Sequence, residues 1–180
     1  MESLILIDVQ KGFLNERCGK RNNPEAEKNM LLLLEKFRKE NKKVIHIQHL
    51  SLSPEAFFYK DKDREFKEGF EPINNEVVFQ KNVNSAFIGT NLEQYLRDNK
   101  IDEIVIAGLT LPHCVSTTTR MAGNLGFKVI LIEDATASFE LKDSRGNTLN
   151  PEEIHKYHIA ALNEEFAKVM TTEEYIVKKV

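Results

Sequence analysis

The chain has 180 residues, of which 41% are hydrophobic, enough for the core of one compact domain but little for two. Its 25 Lys and Arg and 28 Asp and Glu give a net charge of −3, spread along the sequence, which argues against nucleic acids and membrane surfaces as partners. The two cysteines, Cys18 and Cys114, lie far apart, and no signal-peptide pattern is present. We therefore expect one domain over residues 1–180, in a reducing cytoplasm.

Short apolar runs alternate with amphipathic stretches of helical length. In the first half, strands are predicted over Leu4–Ile7, Val44–Ile47 and Glu76–Phe79, and a helix over Glu25–Glu40. In the second half, helices are predicted over Thr90–Asn99, Val115–Leu125 and Glu152–Ala167, and strands over Glu103–Ala107 and Lys128–Ile132. Because several strand runs are apolar at consecutive positions, helices should cover both faces of the sheet. The pattern predicts an α/β fold with a parallel sheet.

Three reactive side chains follow three of the predicted strands. Asp8 ends the first strand, Lys81 follows the third, and Cys114 begins the helix after Glu103–Ala107. Since functional groups of parallel sheets collect at the carboxyl ends of the strands, we expect an acid, a cation and a thiol at one edge. Each residue also has a simpler interpretation, because Asp8 can cap a loop, Lys81 can be a solvated lysine and Cys114 can be a small core residue.

Two influences at the position of Cys114 would favour the thiolate that a nucleophile needs. At a helix N-terminus, the thiol feels the positive end of the helix dipole, which favours the thiolate. A lysine between a carboxylate and this thiol would keep Asp8 ionised and lower the pKa of Cys114. From these residues alone, nucleophile and core residue remain equally good interpretations of Cys114.

The five histidines form no familiar metal-binding spacing. His49, at the carboxyl end of its strand, is a candidate pocket residue, whereas His46 within that strand is predicted to be structural. His155 and His158 on the last helix are predicted to be surface or packing residues. His113 neighbours the thiol and is a candidate pocket residue, but adjacent residues at a helix start point in different directions, so a role as its base is less favoured.

A segment without a strand pattern, Ser51–Pro72, is rich in aromatic residues. Connections of this length in compact domains are usually functional loops. Its aromatic side chains are therefore predicted either to wall a ligand pocket or subunit interface, or to form a satellite core.

Three segments of the chain resemble the signature segments of one superfamily. They are Leu4–Phe13, Lys81–Phe87 and Gly108–Val115, and the similarity continues through Ser116–Gly123 and Glu133–Thr136. The superfamily is that of the isochorismatase-like cysteine hydrolases, which includes nicotinamidases, N-carbamoylsarcosine amidases and isochorismatases. The chain looks most similar to bacterial cysteine hydrolases of undefined substrate, some of which resemble streptothricin hydrolase.

This resemblance implies a fold and a set of catalytic residues. The fold is a three-layer α/β/α, Rossmann-like sandwich with a mainly parallel sheet of six strands. The implied catalytic triad is Asp8, Lys81 and Cys114, and a cis peptide between Leu109 and Thr110 would turn the amides of Thr110 and Cys114 toward an oxyanion. Members of the superfamily are commonly homodimers or homotetramers.

The chain departs from the family pattern in two places. Pro112 stands where many members carry an acid, so we expect a pocket wall specific to a subfamily. Leu111 replaces the commoner Thr, which removes a hydroxyl from the turn. Nicotinamidases carry a metal-binding Asp-x-His pair after the second strand, whereas Val44–Ser51 contains only His46 and His49. We therefore expect no metal and no other cofactor.

These features predict a cysteine-dependent hydrolase that cleaves an amide of a small molecule through a thioester. One alternative is a vinyl-ether hydrolase of the isochorismatase type that uses Asp8 as an acid, and another is a non-catalytic binding or redox module with an oxidisable Cys114. Candidate substrate-binding residues are Gln10, Phe13, His49, Phe57, Ser85, Phe87 and His113. Of these, Phe13 and Phe87 are explained equally well as core residues.

Overall fold

The computed structural model describes residues 1–178 and contains a central parallel sheet. The strands are β1 (Glu2–Ile7), β2 (Lys43–His49), β3 (Val77–Lys81), β4 (Glu103–Leu109), β5 (Lys128–Ala137), β6 (Leu141–Lys142), β7 (Thr148–Leu149) and β8 (Lys168–Met170). Within the described chain, six of them form the sheet in the order β3-β2-β1-β4-β5-β8, with all neighbours parallel. Strands β6 and β7 form a separate antiparallel hairpin.

Helices lie on both faces of the sheet. They are α1 (Ala26–Lys39), α2 (Asp61–Arg64), α3 (Leu92–Asp98), α4 (Ser116–Asn124), α5 (Pro151–Leu162) and α6 (Thr172–Lys178). A single π-helical turn over Leu111–Val115 precedes α4. Among residues 1–178, no helix has the length and apolar character needed to cross a membrane.

The central strand β1 shows how the three layers are held together. Leu4 and Leu6 point to one face, into a core built with α1 and α6. Ile5 and Ile7 point to the other face, into a core built with α3, α4 and α5. All four side chains are almost completely buried, as expected for four consecutive apolar positions in a strand covered on both faces. The predicted three-layer α/β/α sandwich with six parallel strands is confirmed.

A glycine allows β4 to approach β1 closely beside the site. Gly108 is paired with Ile7, and a Cβ atom on Gly108 would lie 2.2 Å from the Ile7 carbonyl oxygen. Its φ of +134° is also one that L side chains rarely adopt. A glycine at this position thus brings the residues that follow β1 and β4 together.

Some element boundaries differ from the prediction. The last long helix was expected to extend to Ala167, but α5 ends at Leu162 because Asn163 adopts an extended conformation. The amides of Phe166 and Ala167 then donate to the Leu162 carbonyl, which turns the chain into the short edge strand β8. The segment Ser51–Pro72 contains α2, which the sequence pattern did not indicate.

Candidate active site

Asp8, Lys81 and Cys114 meet at the carboxyl edge of the sheet. Asp8 directly follows β1, Lys81 is the last residue of β3, and Cys114 lies in the π-helical turn after β4. Lys81 Nζ donates to Asp8 Oδ2 at 2.7 Å and to Cys114 Sγ at 3.2 Å. The three residues are 0%, 3% and 7% exposed, so their interactions are shielded from bulk water. The arrangement places an ammonium between a carboxylate and a thiol.

The backbone and side chain of Asp8 are both unusual. Its φ is +52°, in the left-handed region that costs a residue with a Cβ atom on the order of 1–3 kcal/mol. The amide of Asp8 donates to the Ile47 carbonyl at 3.0 Å, which anchors the strained residue to β2. Oδ2 accepts the Lys81 bond, but the buried Oδ1 has no hydrogen-bond partner among the described residues. One carboxylate oxygen is therefore available to accept a proton.

Burial dominates the electrostatics of the thiol and the carboxyl. It raises the pKa of Asp8 above its ordinary 3.8, although Lys81 opposes this shift. Burial, and after it the charge of Asp8, also raises the pKa of Cys114 above its ordinary 9.0, and Lys81 offsets only part of that increase. As predicted, Lys81 by itself lowers the pKa of Cys114, but desolvation and the charge of Asp8 outweigh it and the net shift is upward. The raised pKa favours a protonated thiol at neutral pH.

His49 and Asn84 complete the immediate surroundings of the thiol. His49 Nδ1 lies 2.9 Å from Lys81 Nζ and 3.9 Å from Cys114 Sγ. Burial and the charge of Lys81 lower the pKa of His49 to about 4, so its imidazole is neutral at pH 7. Asn84 Oδ1 lies 3.8 Å from Cys114 Sγ. Sequence reasoning did not single out Asn84, although it lies within the segment Lys81–Phe87 that carries the family resemblance.

The turn that carries Cys114 is held by the carbonyl of Thr110. The peptide bond between Leu109 and Thr110 is cis. The Thr110 carbonyl accepts hydrogen bonds from the amides of His113 at 3.1 Å and Val115 at 3.3 Å. These two bonds on either side of Cys114 fix its position at the start of α4.

A cavity of about 270 Å³ adjoins this turn. Its lining includes Phe13, Phe57, Thr110, Pro112, His113 and Phe139. The Phe13 and Phe139 rings stack at 5.8 Å, and the guanidinium of Arg17 lies 4.9 Å from the centre of the Phe57 ring. Phe13, Phe57 and His113 were among the candidate pocket residues. Phe139 was missed, because it follows β5 outside the segments that resemble the family.

The aromatic segment Ser51–Pro72 packs on the site from within the same chain. The ring of Phe58 packs edge-on against the ring of Phe13, with 4.9 Å between the ring centres. Its centre lies 5.5 Å from that of the His49 ring. Phe70 is buried in the core beneath α1. The segment thus contributes both to the site and to the core.

Three other candidate pocket residues have internal partners. The Gln10 side chain donates to the His49 carbonyl at 3.0 Å and accepts from the His49 amide at 2.7 Å. Ser85 Oγ donates to Met121 Sδ at 3.0 Å, and Phe87 is buried in the core shared with α3 and α4. A substrate would have to displace existing contacts to reach any of the three.

Two histidines away from the site are structural, as predicted. His46 Nε2 lies 2.8 Å from Glu76 Oε2. His155 is buried, and its Nε2 lies 3.1 Å from Thr136 Oγ1. Both are held by hydrogen bonds that link separate elements.

The donor atoms of Asp8, His49 and Cys114 lie within 4.8 Å of one another, which is compact enough for a metal site. Lys81 Nζ, however, is within 3.2 Å of an atom of each. A metal ion bound to these three donors would have to displace the ammonium, so these residues do not fit a metal while Lys81 is in place.

The chain matches known proteins along nearly its whole length. Residues 2–174 match the model of the isochorismatase domain. The isochorismatase family protein YrdC of Bacillus subtilis is 47% identical over 97% of this chain and 94% of its own length. A crystal structure from Chromobacterium violaceum, described as an isochorismatase-family hydrolase, is 37% identical with a TM-score of 0.93, covering 98% of this chain and 92% of the other. An N-carbamoylsarcosine amidase of Arthrobacter is 45% identical over 60 residues, 33% of this chain and 23% of its own length.

The fold and these relatives define the protein as a hydrolase with a parallel α/β sandwich. The chain belongs to the isochorismatase family.

Proposed function

We propose that this hydrolase cleaves a C–N amide bond of a small molecule through a thioester on Cys114, with Asp8 and Lys81 as the other members of a catalytic triad. The observation that carries the proposal is the position of Lys81 Nζ, which donates to both the carboxylate of Asp8 and the sulfur of Cys114. A buried ammonium at this point favours the thiolate that forms when Asp8 takes the thiol proton.

In the first half of the reaction, the thiol proton moves to the carboxylate of Asp8 and the sulfur attacks the substrate carbonyl. The unpartnered Oδ1 supports Asp8 as the acceptor. A C–S bond forms, and the carbonyl oxygen becomes an oxyanion. When the C–N bond breaks, Asp8 returns its proton to the leaving nitrogen, which departs as ammonia or an amine. The product of this half is the Cys114 thioester.

In the second half, water replaces the amine. Asp8 removes a proton from the water, whose oxygen attacks the thioester carbonyl. The C–S bond then breaks, the carboxylic acid leaves, and the proton on Asp8 returns to the sulfur. Over the cycle, one water is consumed and one amide becomes an acid and an amine.

The backbone amides of Thr110 and Cys114 are the proposed donors to the oxyanion. Amide donors in such positions typically contribute about 10²–10³ in rate. The cavity beside Thr110 is the proposed site for the rest of the substrate. Cleavage of an amide is further supported by the similarity to N-carbamoylsarcosine amidase.

The direct test is to trap the acyl enzyme. A panel of small primary and secondary amides is incubated with the wild type, the reaction is quenched in acid, and peptides are analysed by mass spectrometry. We expect an acyl adduct on the peptide containing Cys114 and none on the peptide containing Cys18, the second free thiol. Cys114→Ala should abolish turnover. Turnover of a vinyl ether that survives Cys114→Ala would instead indicate the vinyl-ether type of hydrolysis with Asp8 as the acid.

Alkylation by iodoacetamide tests the proton transfer without a substrate. Because the raised pKa of Cys114 keeps a proton in the site and Lys81 favours the carboxylate form of Asp8, the pair is expected to hold one proton near neutral pH. The fraction with the proton on Asp8 is then set inside the protein, so the alkylation rate of Cys114 should be nearly level with pH. An ordinary thiol becomes about tenfold more reactive per pH unit below its pKa. If the alkylation rate of Cys114 rises about tenfold per pH unit in this way, and if Asp8→Asn and Lys81→Met do not change it, a non-catalytic role of Cys114 would be favoured.

A further inference from the structure

The Lys81 ammonium has three N–H groups and three acceptors around it. They are Asp8 Oδ2 at 2.7 Å, His49 Nδ1 at 2.9 Å and Cys114 Sγ at 3.2 Å. The side chain of Lys81 is completely buried, so water is not at hand to replace a missing acceptor. Each N–H therefore depends on one of these three residues.

We propose that His49 is a positioning residue: its neutral imidazole accepts the third N–H of Lys81 and thereby keeps the other two directed at Asp8 and Cys114. This inference rests on the proposed function, since it concerns the ammonium of the proposed triad. It gives His49 a role different from that of a substrate contact or a base. The thiol is 3.9 Å from Nδ1, farther away than Lys81, whose bond engages the lone pair of this nitrogen.

The surroundings of His49 hold Nδ1 in place. Gln10 bonds both the amide and the carbonyl of His49, at 2.7 and 3.0 Å, and its side chain also donates to the Arg64 carbonyl at 3.0 Å. The ring of Phe58 lies 5.5 Å from the imidazole. The backbone and the ring of His49 are thus both supported by neighbouring elements.

The protonation of His49 follows from the charges that face it. These are the ammonium of Lys81 on β3, the carboxylate of Asp8 after β1, 3.8 Å away, and the thiol of Cys114 before α4. Because Nδ1 accepts from Lys81, the ring proton resides on Nε2. A second proton on Nδ1 would point at the ammonium, which agrees with the lowering of the pKa of His49 to about 4.

Two substitutions separate the acceptor from the shape of the ring. His49→Leu removes the acceptor, whereas His49→Asn keeps an oxygen near the position of Nδ1 and removes the imidazole. A lost hydrogen bond to a charged group costs on the order of 1.5–3 kcal/mol, so His49→Leu should slow the alkylation of Cys114 at pH 7.5 by about tenfold or more. His49→Asn should stay within about threefold of the wild type. With an amide substrate, His49→Leu should lower kcat with little change in KM.

Gln48→Leu serves as the matched control on the same strand. Gln48 donates to the Arg64 carbonyl at 2.9 Å and accepts from Gln80 at 2.9 Å, and within the described chain its side chain has no hydrogen bond to Lys81. In Gln48→Leu, the alkylation rate of Cys114 should equal that of the wild type. Equal rates for His49→Leu and the wild type, with Lys81→Met still slow, would overturn the role of His49 and leave the triad intact. A wild type whose alkylation does not depend on Lys81 would overturn the proposed function itself.

The role of His49 can also be tested on the wild type, without any variant that has to fold. Long-range proton–nitrogen correlation spectra report the tautomer of each histidine. We expect His49 to carry its proton on Nε2 and to remain neutral at pH 6. A proton on Nδ1 at pH 7, or titration near the ordinary 6.5, would overturn the inference even if His49→Leu fails to fold.

Discussion

Two carboxylates of this protein, Asp8 and Glu27, are both bonded to cations, but they are satisfied differently. Glu27 Oε1 accepts from Lys67 Nζ and from Arg21 at 2.8 Å, and Oε2 accepts from the second Arg21 nitrogen at 2.8 Å. Asp8 has Lys81 on one oxygen and no partner on the other among the described residues. Hydrogen bonds thus neutralise both oxygens of Glu27 and only one of Asp8.

The pKa values of the two groups move in opposite directions. Burial raises the pKa of both carboxyls, but at Glu27 the hydrogen bonds from Arg21 and Lys67 outweigh it and lower the pKa to about 2. At Asp8, burial outweighs Lys81, and the pKa is raised. A carboxylate with hydrogen bonds to both oxygens thus serves as a structural link, whereas one with an open oxygen is ready to take a proton.

The largest effect is expected from Asp8→Asn, which removes the proton acceptor. Because general base catalysis typically contributes about 10²–10⁴, kcat/KM should fall by about 10³. The melting temperature should fall as well, since the substitution leaves the completely buried ammonium of Lys81 without its counter-charge. Turnover and thermal unfolding of the same preparation check both parts. An unchanged rate would show that Asp8 is not the base.

Glu27→Gln should lower the stability of the fold without changing the reactivity of Cys114. It leaves Arg21 and Lys67 facing a neutral amide in a largely buried position, with 23% of the Glu27 side chain exposed. The free energy of unfolding should fall by about 3 kcal/mol, measured by urea denaturation. Alkylation of Cys114 should keep its wild-type rate and pH dependence. A slower alkylation of Cys114 would contradict the separation between the two regions.

A smaller loss in the free energy of unfolding is expected when the pH is lowered. The pKa of Glu27 is lowered from 4.5 to about 2, so its stabilising contribution is complete above pH 4.5 and is lost as the pH falls toward 2. This loss should amount to about 2 kcal/mol, and the difference between wild type and Glu27→Gln should shrink accordingly. Urea titrations at several pH values provide the measurement. A constant difference over this range would mean that Glu27 stabilises the fold by packing and not by charge.

The sequence predicted the members of the site better than their electrostatics. Asp8, Lys81 and Cys114 could be brought to one edge because strand ends in a parallel sheet share that edge. The direction of the pKa shift of Cys114 could not be predicted from the sequence, because it depends on how completely other elements exclude water. The bond between His49 and Lys81 also depends on the register of β2 and β3, which pairs these two residues.

The fold was predictable where apolar runs were long. Strand β1 is apolar at four consecutive positions, Leu4–Ile7, and its place between two helical layers follows from that pattern. Strand β8 has only three residues, Lys168–Met170, too few to show a period, and its pairing with β5 depends on the turn after Leu162. Phe139 likewise reaches the cavity through tertiary packing alone.

The ammonium of Lys81 supplies the positive charge at the centre of the site. A carboxylate, an imidazole and a thiol surround its nitrogen, a set of donors that elsewhere binds zinc. Here the central cation is part of the polypeptide. A chelator cannot remove this cation, and a shortage of metal does not affect it. The positive charge is present in the site whenever the chain is folded.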